Sequence, residues 1–575
     1  MNAGRLGQAI LILIHLAISH KRKTVIRIAK RKILVTAALP YANGPLHLGH
    51  IRSTYLPADI YTRFQELFGN DVVYICASDE HGTPIVAAAE KAKKKPGEFA
   101  KGFHDKDEKE FKQLGFRMDI FHRTSSPENR ELTQKFFENA KKAGVIYTKD
   151  VEQAYCEKDR RFLPDRFVVG TCPYCKSEKQ YSDYCDGCGK ALASGEILNP
   201  KCLVCGTTPV TKTTKHYFFK LSTLSEKLAG WLKGNPKLQK EVVNYVMDWI
   251  DKGLNDWDIS RDLDWGVPIP REKSLVFYVW FDAPICYVSS TKAWADKHGK
   301  KWEDYWKSKD AERVHFIGKD IIYHHFLFWP AMLTVAGENF QLPTAIPTRG
   351  YLNLEARKFS KSKNWFVSLE DFLKEFPPDY LRYYETAITP YSVVDADFVW
   401  KDFQQKINNE LVANVGNFVN RTLVLIKKLN EGKVPRGKIE AKLEDAIRKA
   451  KEEIGKDAEG FEFRNGLEKV LALSSEFNKH LSEKEPWKEK DKVKCDECLY
   501  SATRGLTAIA VLLWPYLPFT SERIFEMLGI DRKQIRWENV EKELLKPGTQ
   551  IGEVKPLFEK VTDEKIKAQE AKLVR

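Results

Sequence analysis

Three groups of residues have types and spacings that can do chemistry. The first is His47-Leu48-Gly49-His50 near the start of the chain. A glycine after a strand and at the start of a helix lets the backbone approach a phosphate closely, and the helix N-terminus favours the anion. The two imidazoles are three apart, on one side of a helical turn, where they can donate hydrogen bonds to phosphate oxygens. The second group is Lys358-Phe359-Ser360-Lys361-Ser362, past the middle of the chain. Its lysines are flexible point charges suited to the negative charge that spreads over a transferring nucleotide. Either motif alone also reads as ordinary surface. Together, in this order, they read as the two halves of an ATP site that makes an adenylate. The third group is a block in which seven of the eleven cysteines fall between Cys156 and Cys205. Cys172-x2-Cys175 and Cys185-x2-Cys188 form a four-thiolate zinc pattern, with free structural thiols as the plainer alternative.

These residues need elements that hold them. Lys32 to Leu39 is apolar and β-rich and reads as a buried strand. Pro40 to Pro45 is a turn, and a helix follows from about Leu48 towards Leu67, with Pro57 expected to kink it. Asp71 to Ala77 is the next strand. Strand, glycine turn, helix and strand make a βαβ unit of a parallel sheet, whose ligands sit at the C-terminal ends of the strands. Both Tyr41 to His50 and Ser78-Asp79-Glu80-His81-Gly82 lie there. The cysteine block, about 146 to 216, interrupts this rhythm as an insertion. Afterwards Val276 to Phe281 and Arg313 to Ile317 read as strands, and Asp320 to Val335 as a buried helix. From about Asp397 the chain turns helical, with helices expected over Gln404 to Leu429, Leu443 to Lys479 and Glu497 to Leu528. The Lys/Glu run at 483–494 reads as a solvated connection.

At 575 residues, with 43% hydrophobic and 30% charged residues, the chain has the composition of a soluble globular protein large enough for several domains. Its net charge of +14 suits a polyanionic partner. Paired cysteines in a large enzyme point to metal rather than disulfides and to the cytoplasm. The apolar run Ala9 to Ile18 is too short to span a bilayer, which takes ~20 residues. It is followed by Lys21-Arg22-Lys23 without a convincing cleavage site. We expect translation to start downstream, with Val25 as a candidate, because the fold needs nothing before Lys30.

The residues around the motifs carry a resemblance. The two motifs look like the signatures of class I aminoacyl-tRNA synthetases. Ala37-Ala38-Leu39-Pro40-Tyr41-Ala42-Asn43-Gly44-Pro45-Leu46-His47-Leu48-Gly49-His50 resembles the methionyl-tRNA synthetases, as does Cys76-Ala77-Ser78-Asp79-Glu80-His81-Gly82-Thr83-Pro84. So do Trp257 to Asp262, Tyr278 to Ile285 and Phe316-Ile317-Gly318-Lys319-Asp320. The resemblance covers roughly residues 31 to 560. Leu48 stands where the usual motif has isoleucine, and Phe359 where it has methionine; both are apolar and should keep the loops packed.

The resemblance implies an α/β fold: a Rossmann-type parallel-sheet catalytic domain with a zinc-knuckle insertion, followed by an all-α anticodon-binding domain. It implies an extension over 1–29, catalytic halves over 30–145 and 266–345, the insertion over 146–265, a KFSKS and stem-contact region over 346–396, and the helical domain over 397–575. The implied reaction activates methionine with ATP and transfers it to the 3′ end of tRNA(Met). His47, His50, Lys358 and Lys361 would be catalytic. Gly49, Gly318, Lys319 and Asp320 would join His47, His50 and Lys361 at ATP, which brings Mg²⁺. The methionine pocket would use Ala38, Leu39, Tyr41, Asp79, Trp280, Ala283, Pro284, Tyr287, Ile321 and His325. Asp79 can accept from the substrate ammonium, and aromatic faces favour a thioether.

Arg261 is a candidate for the tRNA end or the adenylate, and Asn417, Arg421 and Trp487 for the anticodon. A tryptophan can stack on an unpaired base while Asn and Arg bond its edge. Beyond the first zinc at Cys172, Cys175, Cys185 and Cys188, a second is expected at Cys156, Asp159, Cys202 and Cys205, as in the two-knuckle insertion of archaeal relatives. Cys495 and Cys498 have no partner pair and are expected to bind no metal. Synthetases for branched amino acids carry an editing insertion for which 146–265 is too short. A cysteinyl enzyme would put zinc in its amino-acid pocket, and a non-catalytic tRNA-binding paralogue would have eroded the ATP motifs. No membrane partner is expected. The chain reads as a monomer unless a separate subunit supplies a tRNA-binding function.

Overall fold

The computed structural model describes residues 30–164, 167–182, 185, 188, 192, 195–337, 339–359 and 365–573. The expectation of a later start falls on residues 1–29, and Lys361 with its serines on 360–364; both lie outside the described residues.

Five strands form the central sheet: Lys32–Ala37 (β1), Asp71–Ser78 (β2), Ile120–Arg123 (β3), Ala311–Gly318 (β4) and Thr348–Arg349 (β5). All are parallel, in the order β5-β4-β1-β2-β3. Ile33, Leu34, Val35 and Ala37 are fully buried. The strand is covered on both faces, which is why its sequence is a continuous apolar run rather than an alternation. From β1 the chain winds first to one side and later to the other, so a crevice opens beyond the C-terminal ends of β1 and β4.

The helix after β1 carries the first departure from expectation. Leu48–His50 is one α-turn, Ile51–Tyr55 is a wide π-helical stretch, and Leu56–Leu67 (α1) is regular. Pro57 has no N–H for the carbonyl four residues back. The chain absorbs this with a π-turn, in which the Leu56 N–H bonds to the Ile51 carbonyl, rather than with a simple kink. Pro330 repeats the device. The expected helix from Asp320 begins as a 3-10 turn (Lys319–Ile321), widens to π over His324–Phe328, and becomes α-helical only at Trp329–Val335.

Between β3 and β4 lies the insertion. Strands Ile146–Cys156 and Val210–Phe219 pair antiparallel from Ile146↔Phe219 to Tyr155↔Val210. The hairpin carries the cysteine knuckles beyond its tip, and Trp257–Asp258 returns along its base. The expected strand Val276 to Phe281 is a strand only over Val276–Phe277, against Ser260–Arg261; Val279–Asp282 is a helical turn. Its partner strand is two residues long, so the ladder runs out and the buried Phe277 and Phe281 are spaced for a turn instead.

The C-terminal body is helical. A π stretch, Ile407–Gly416, leads into Asn417–Leu429 (α2). The periodic stretch Leu443 to Lys479, expected as one helix, is two: Ala441–Glu459 (α3) and Phe463–Lys484 (α4). Between them Gly460 and Phe461, at φ 61°, reverse the chain. Glu497 to Leu528 likewise divides into Lys492–Leu513 (α5) and Pro518–Leu528 (α6), broken by Pro515 and Pro518. This body shares one apolar core with the sheet: Phe64 of α1 meets Tyr516 and Trp537 edge-on. A polar pin runs through the seam. Fully buried Arg382 donates to Asp59 of α1 at 2.7 Å and to the carbonyls of Tyr516 and Pro515. Burial alone would raise the Asp59 carboxyl, but the guanidiniums of Arg63 and Arg382 hold it below its usual range.

Candidate active site

The crevice beyond β1 and β4 holds a cleft of about 900 Å³. Its walls include Ala38, Leu39 and Tyr41 after β1, Asp79 after β2, Gly318, Asp320 and Ile321 at the end of β4 and just beyond, Arg261 from the insertion, Trp280, and Lys358 and Phe359.

At the first motif the His47 N–H donates to His50 Nδ1 at 3.1 Å and the two rings stack with centroids 3.7 Å apart. A Cβ on Gly49 would sit 3.2 Å from the His47 ring, so a larger residue would push the imidazole by a few tenths of an ångström. Phe359 stacks on His47 at 4.8 Å. That contact joins the two motifs and gives a physical role to the aromatic residue at this position of the loop. Lys319 is turned towards the cleft wall, ion-paired with Asp395 at 2.7 Å and lying over Tyr351. Burial raises the carboxyl of Asp320.

Asp79 is held by its backbone: its N–H donates to the Pro40 carbonyl and its carbonyl accepts from Ala42. Its side chain is buried, and Oδ1 has no hydrogen-bond partner. Burial, then the neighbouring charges of Asp282 and Glu80, push its carboxyl well above the usual range, opposed by the His81 N–H. Asp79 lines the cleft, so its partnerless oxygen is an acceptor held at the cleft wall. Tyr41 Oη donates to the His81 carbonyl at 2.5 Å.

Of the expected methionine pocket, Ala38, Leu39, Tyr41, Asp79, Trp280 and Ile321 line the cleft, while Ala283, Pro284, Tyr287 and His325 are buried and not among its lining residues. His325 Nδ1 lies 3.2 Å from the Ile321 carbonyl and Nε2 2.9 Å from Tyr287 Oη. Burial, with His324 and His315 nearby, lowers its pKa well below the usual value, so the ring is neutral. Nδ1 therefore carries the proton and donates to the Ile321 carbonyl, and Nε2 accepts from the tyrosine hydroxyl. Sequence reasoning missed Ser53, Thr54, Tyr278, Tyr351 and Asn353 on the cleft wall. Ser53 and Thr54 follow His50 at helical spacing, a signal that was there to use; Tyr351 and Asn353 carried none.

The cysteines gather into two sets. The ligand atoms of Cys172, Cys175, Cys185 and Cys188 lie within 4.8 Å of one another, and so do those of Cys156, Asp159, Cys202 and Cys205. Cys175 and Cys185 sulfurs are 3.5 Å apart, Cys156 and Cys205 3.4 Å, and Asp159 Oδ2 is 3.2 Å from Cys202 Sγ. Such spacings are close to the edge of a tetrahedron with bonds of roughly 2.3 Å, so both sets are placed to hold a metal such as zinc. Cys495 and Cys498 are buried within α5. On the helical body, Arg421 of α2 lies over the Trp487 ring at 5.4 Å, and Asn417, one turn earlier, bonds Asn478. Trp487 is 42% exposed, which excludes a core role. Among the described residues no helix is long and apolar enough to cross a membrane.

A histidine and glycine turn after the first strand of a parallel sheet, with Phe359 from beyond the fifth strand stacked on it, is the arrangement of class I aminoacyl-tRNA synthetases. The family model described as "tRNA synthetases class I (M)" matches residues 33–423, and "Anticodon binding domain of methionyl tRNA ligase" matches 431–574. The chain is 45% identical to the methionine–tRNA ligase of Methanopyrus kandleri, over 94% of this chain and 82% of that one. With the Pyrococcus furiosus methionine–tRNA ligase the figures are 41%, 93% and 76%. A crystal structure of Mycobacterium tuberculosis methionyl-tRNA synthetase bound by methionyl-adenylate superposes with a TM-score of 0.77 at 26% identity, over 92% of this chain and 100% of that one. The chain belongs to the methionyl-tRNA synthetases and is an enzyme, a ligase that forms aminoacyl-tRNA.

Proposed function

We propose that the cleft activates methionine and passes it to tRNA(Met) in two steps. A methionine carboxylate oxygen attacks the α-phosphorus of ATP, the bond to the bridging oxygen breaks, and pyrophosphate leaves. A hydroxyl of the terminal ribose then attacks the acyl carbon, gives up its proton, and AMP leaves. The observation that carries this reading is the unsatisfied Asp79 carboxylate facing the same cleft as the His47–His50–Phe359 stack. Asp79 anchors the ammonium, while Tyr41 and Trp280 supply apolar faces. Tyr287 and His325, neutral and hydrogen-bonded, back the pocket where the thioether ends. His47 and His50 with the Gly49 backbone steady the phosphates; Lys358 and Lys361 offset charge on the departing pyrophosphate. Gly318 to Asp320 flank the nucleotide, and Mg²⁺ bound with ATP neutralises phosphate charge. Positioning and charge stabilisation suffice for the first step, which needs no protein base. Pyrophosphate exchange tested across twenty amino acids, with and without tRNA, should respond to methionine alone; exchange driven by another amino acid would refute the assignment.

The catalytic halves 30–145 and 266–345, the insertion 146–265, the connecting 346–396 and the helical 397–575 are the functional divisions we assign. We place the enzyme in the cytoplasm, where its thiolates stay reduced. Both knuckles hold structural zinc, because four protein ligands leave no open position. Metal analysis should find two zinc ions per chain, and Cys202→Ser should leave one; a wild-type value of one would remove the second site. Arg421, Asn417 and Trp487 read the anticodon. Trp487→Ala should cut aminoacylation of tRNA about 10- to 100-fold, given ~1–3 kcal/mol per stacked base, while exchange without tRNA stays unchanged. Equal losses in the two assays would argue for a structural role.

A further inference from the structure

His216 sits on the long strand of the insertion, Val210–Phe219, with its side chain 3% exposed. Nδ1 lies 2.6 Å from Asp258 Oδ2 and Nε2 lies 3.0 Å from Asp262 Oδ2. A neutral imidazole carries one N–H and can donate from only one ring nitrogen; an ionised carboxylate only accepts. Two carboxylates held at opposite ring nitrogens therefore select the imidazolium. Asp258 carries the arrangement onward. Its Oδ1 accepts from the Ser260 backbone N–H at 3.1 Å, and its Oδ2 meets Arg261 Nη1 at 3.3 Å. Arg261 also donates to the Ser260 carbonyl at 2.7 Å, lies over the Tyr278 ring at 4.0 Å, and lines the cleft.

We infer that His216 is a positioning residue, an imidazolium that locks Asp258 and Asp262 and thereby aims the Arg261 guanidinium into the cleft at a substrate phosphate group. The inference rests on the reading of Arg261 as a contact for the adenylate or the tRNA end. With His216 charged, two cations balance two carboxylates. Without that charge the cluster would carry a net negative charge beside a cleft that binds polyanions. Burial alone pulls the imidazole pKa down, but hydrogen bonds to Asp258 and Asp262, with their charges, carry it up to about 9. The groups facing it are Asp258, Asp262 and Arg261 from the 257–262 segment and Lys149, its register partner across the hairpin. The raised pKa means that the lock holds through neutral pH and is lost as pH rises through about 9.

The test has two arms, both on the full-length enzyme. An NMR titration of the imidazole nitrogens, assigned by comparison with His216→Gln, should show one histidine protonated on both nitrogens at pH 7.5 and losing a proton near pH 9; a neutral His216 at pH 7.5 overturns the proposal. Kinetically, His216→Gln and Arg261→Gln should each lower the affected step about 10- to 100-fold, the scale of a small misplacement of a contact group, with the KM for methionine unchanged. The double variant should lose no more than either single one. Wild-type rate should fall above pH 9, and His216→Gln should lack that limb. Loss in pyrophosphate exchange assigns the phosphate to the adenylate; loss in transfer alone assigns it to the tRNA end. A silent Arg261→Gln overturns the reading of Arg261. A damaging Arg261→Gln beside a silent His216→Gln overturns the positioning role alone.

Discussion

Asp79→Asn should weaken methionine binding about a hundredfold or more, the largest single-site effect expected on the amino acid. Truncating one partner of a buried charge pair costs ~2–5 kcal/mol, and each 1.4 kcal/mol is about tenfold. Asparagine keeps the shape and one acceptor but removes the charge that an ammonium needs. The free enzyme supplies a second signature. Burial and the Asp282 charge hold the Asp79 carboxyl well above its usual range. The protonated form cannot receive the ammonium, so affinity should rise as pH rises through that raised value, and binding should release a proton. Isothermal titration calorimetry in buffers of different ionisation enthalpy measures that proton. A wild-type affinity without pH dependence and an Asp79→Asn variant that binds normally would together remove Asp79 from the ammonium site. ATP affinity should be unchanged.

His50→Ala should lower the maximal rate of pyrophosphate exchange by about a hundredfold to a thousandfold while methionine affinity is maintained. Removing one preorganised donor from a developing anion costs ~2.7–4 kcal/mol. The substitution also takes away the Nδ1 that accepts from the His47 N–H and the ring that stacks on His47, so both imidazoles lose their placement. His50→Gln retains hydrogen-bonding capacity without the stack and should recover part of the rate. If His50→Ala instead raised the KM for methionine with the maximal rate intact, the motif would serve the amino acid rather than the phosphates.

Much of the catalytic half was legible because its elements are local. An unbroken apolar run, a proline and glycine turn and a second apolar run define a βαβ unit whatever surrounds them, and the cysteine spacings define knuckles within a few residues of chain. The errors fell where a partner or a proline decides. Val276 to Phe281 has strand composition but a two-residue partner, and the periodicity of Leu443 to Lys479 does not register the reversal at Gly460 and Phe461. Pro57 was legible as a break, but not as a π-turn, and Asp320 to Val335 was read as one helix through Pro330, because the outcome depends on the packing that holds each widened turn in place.

The amino-acid sequence by itself determined the family and the reaction, because motif residues act through chemical type and short-range spacing. Tertiary structure decided which of those residues meet. Only packing brings Phe359 onto His47, Arg421 over Trp487 and His216 between Asp258 and Asp262. Only burial leaves Asp79 with an unsatisfied oxygen and makes one histidine neutral and another charged. Charge state is set by desolvation and by neighbours drawn from distant parts of the chain, and neither can be read from a residue's own letter or from those beside it.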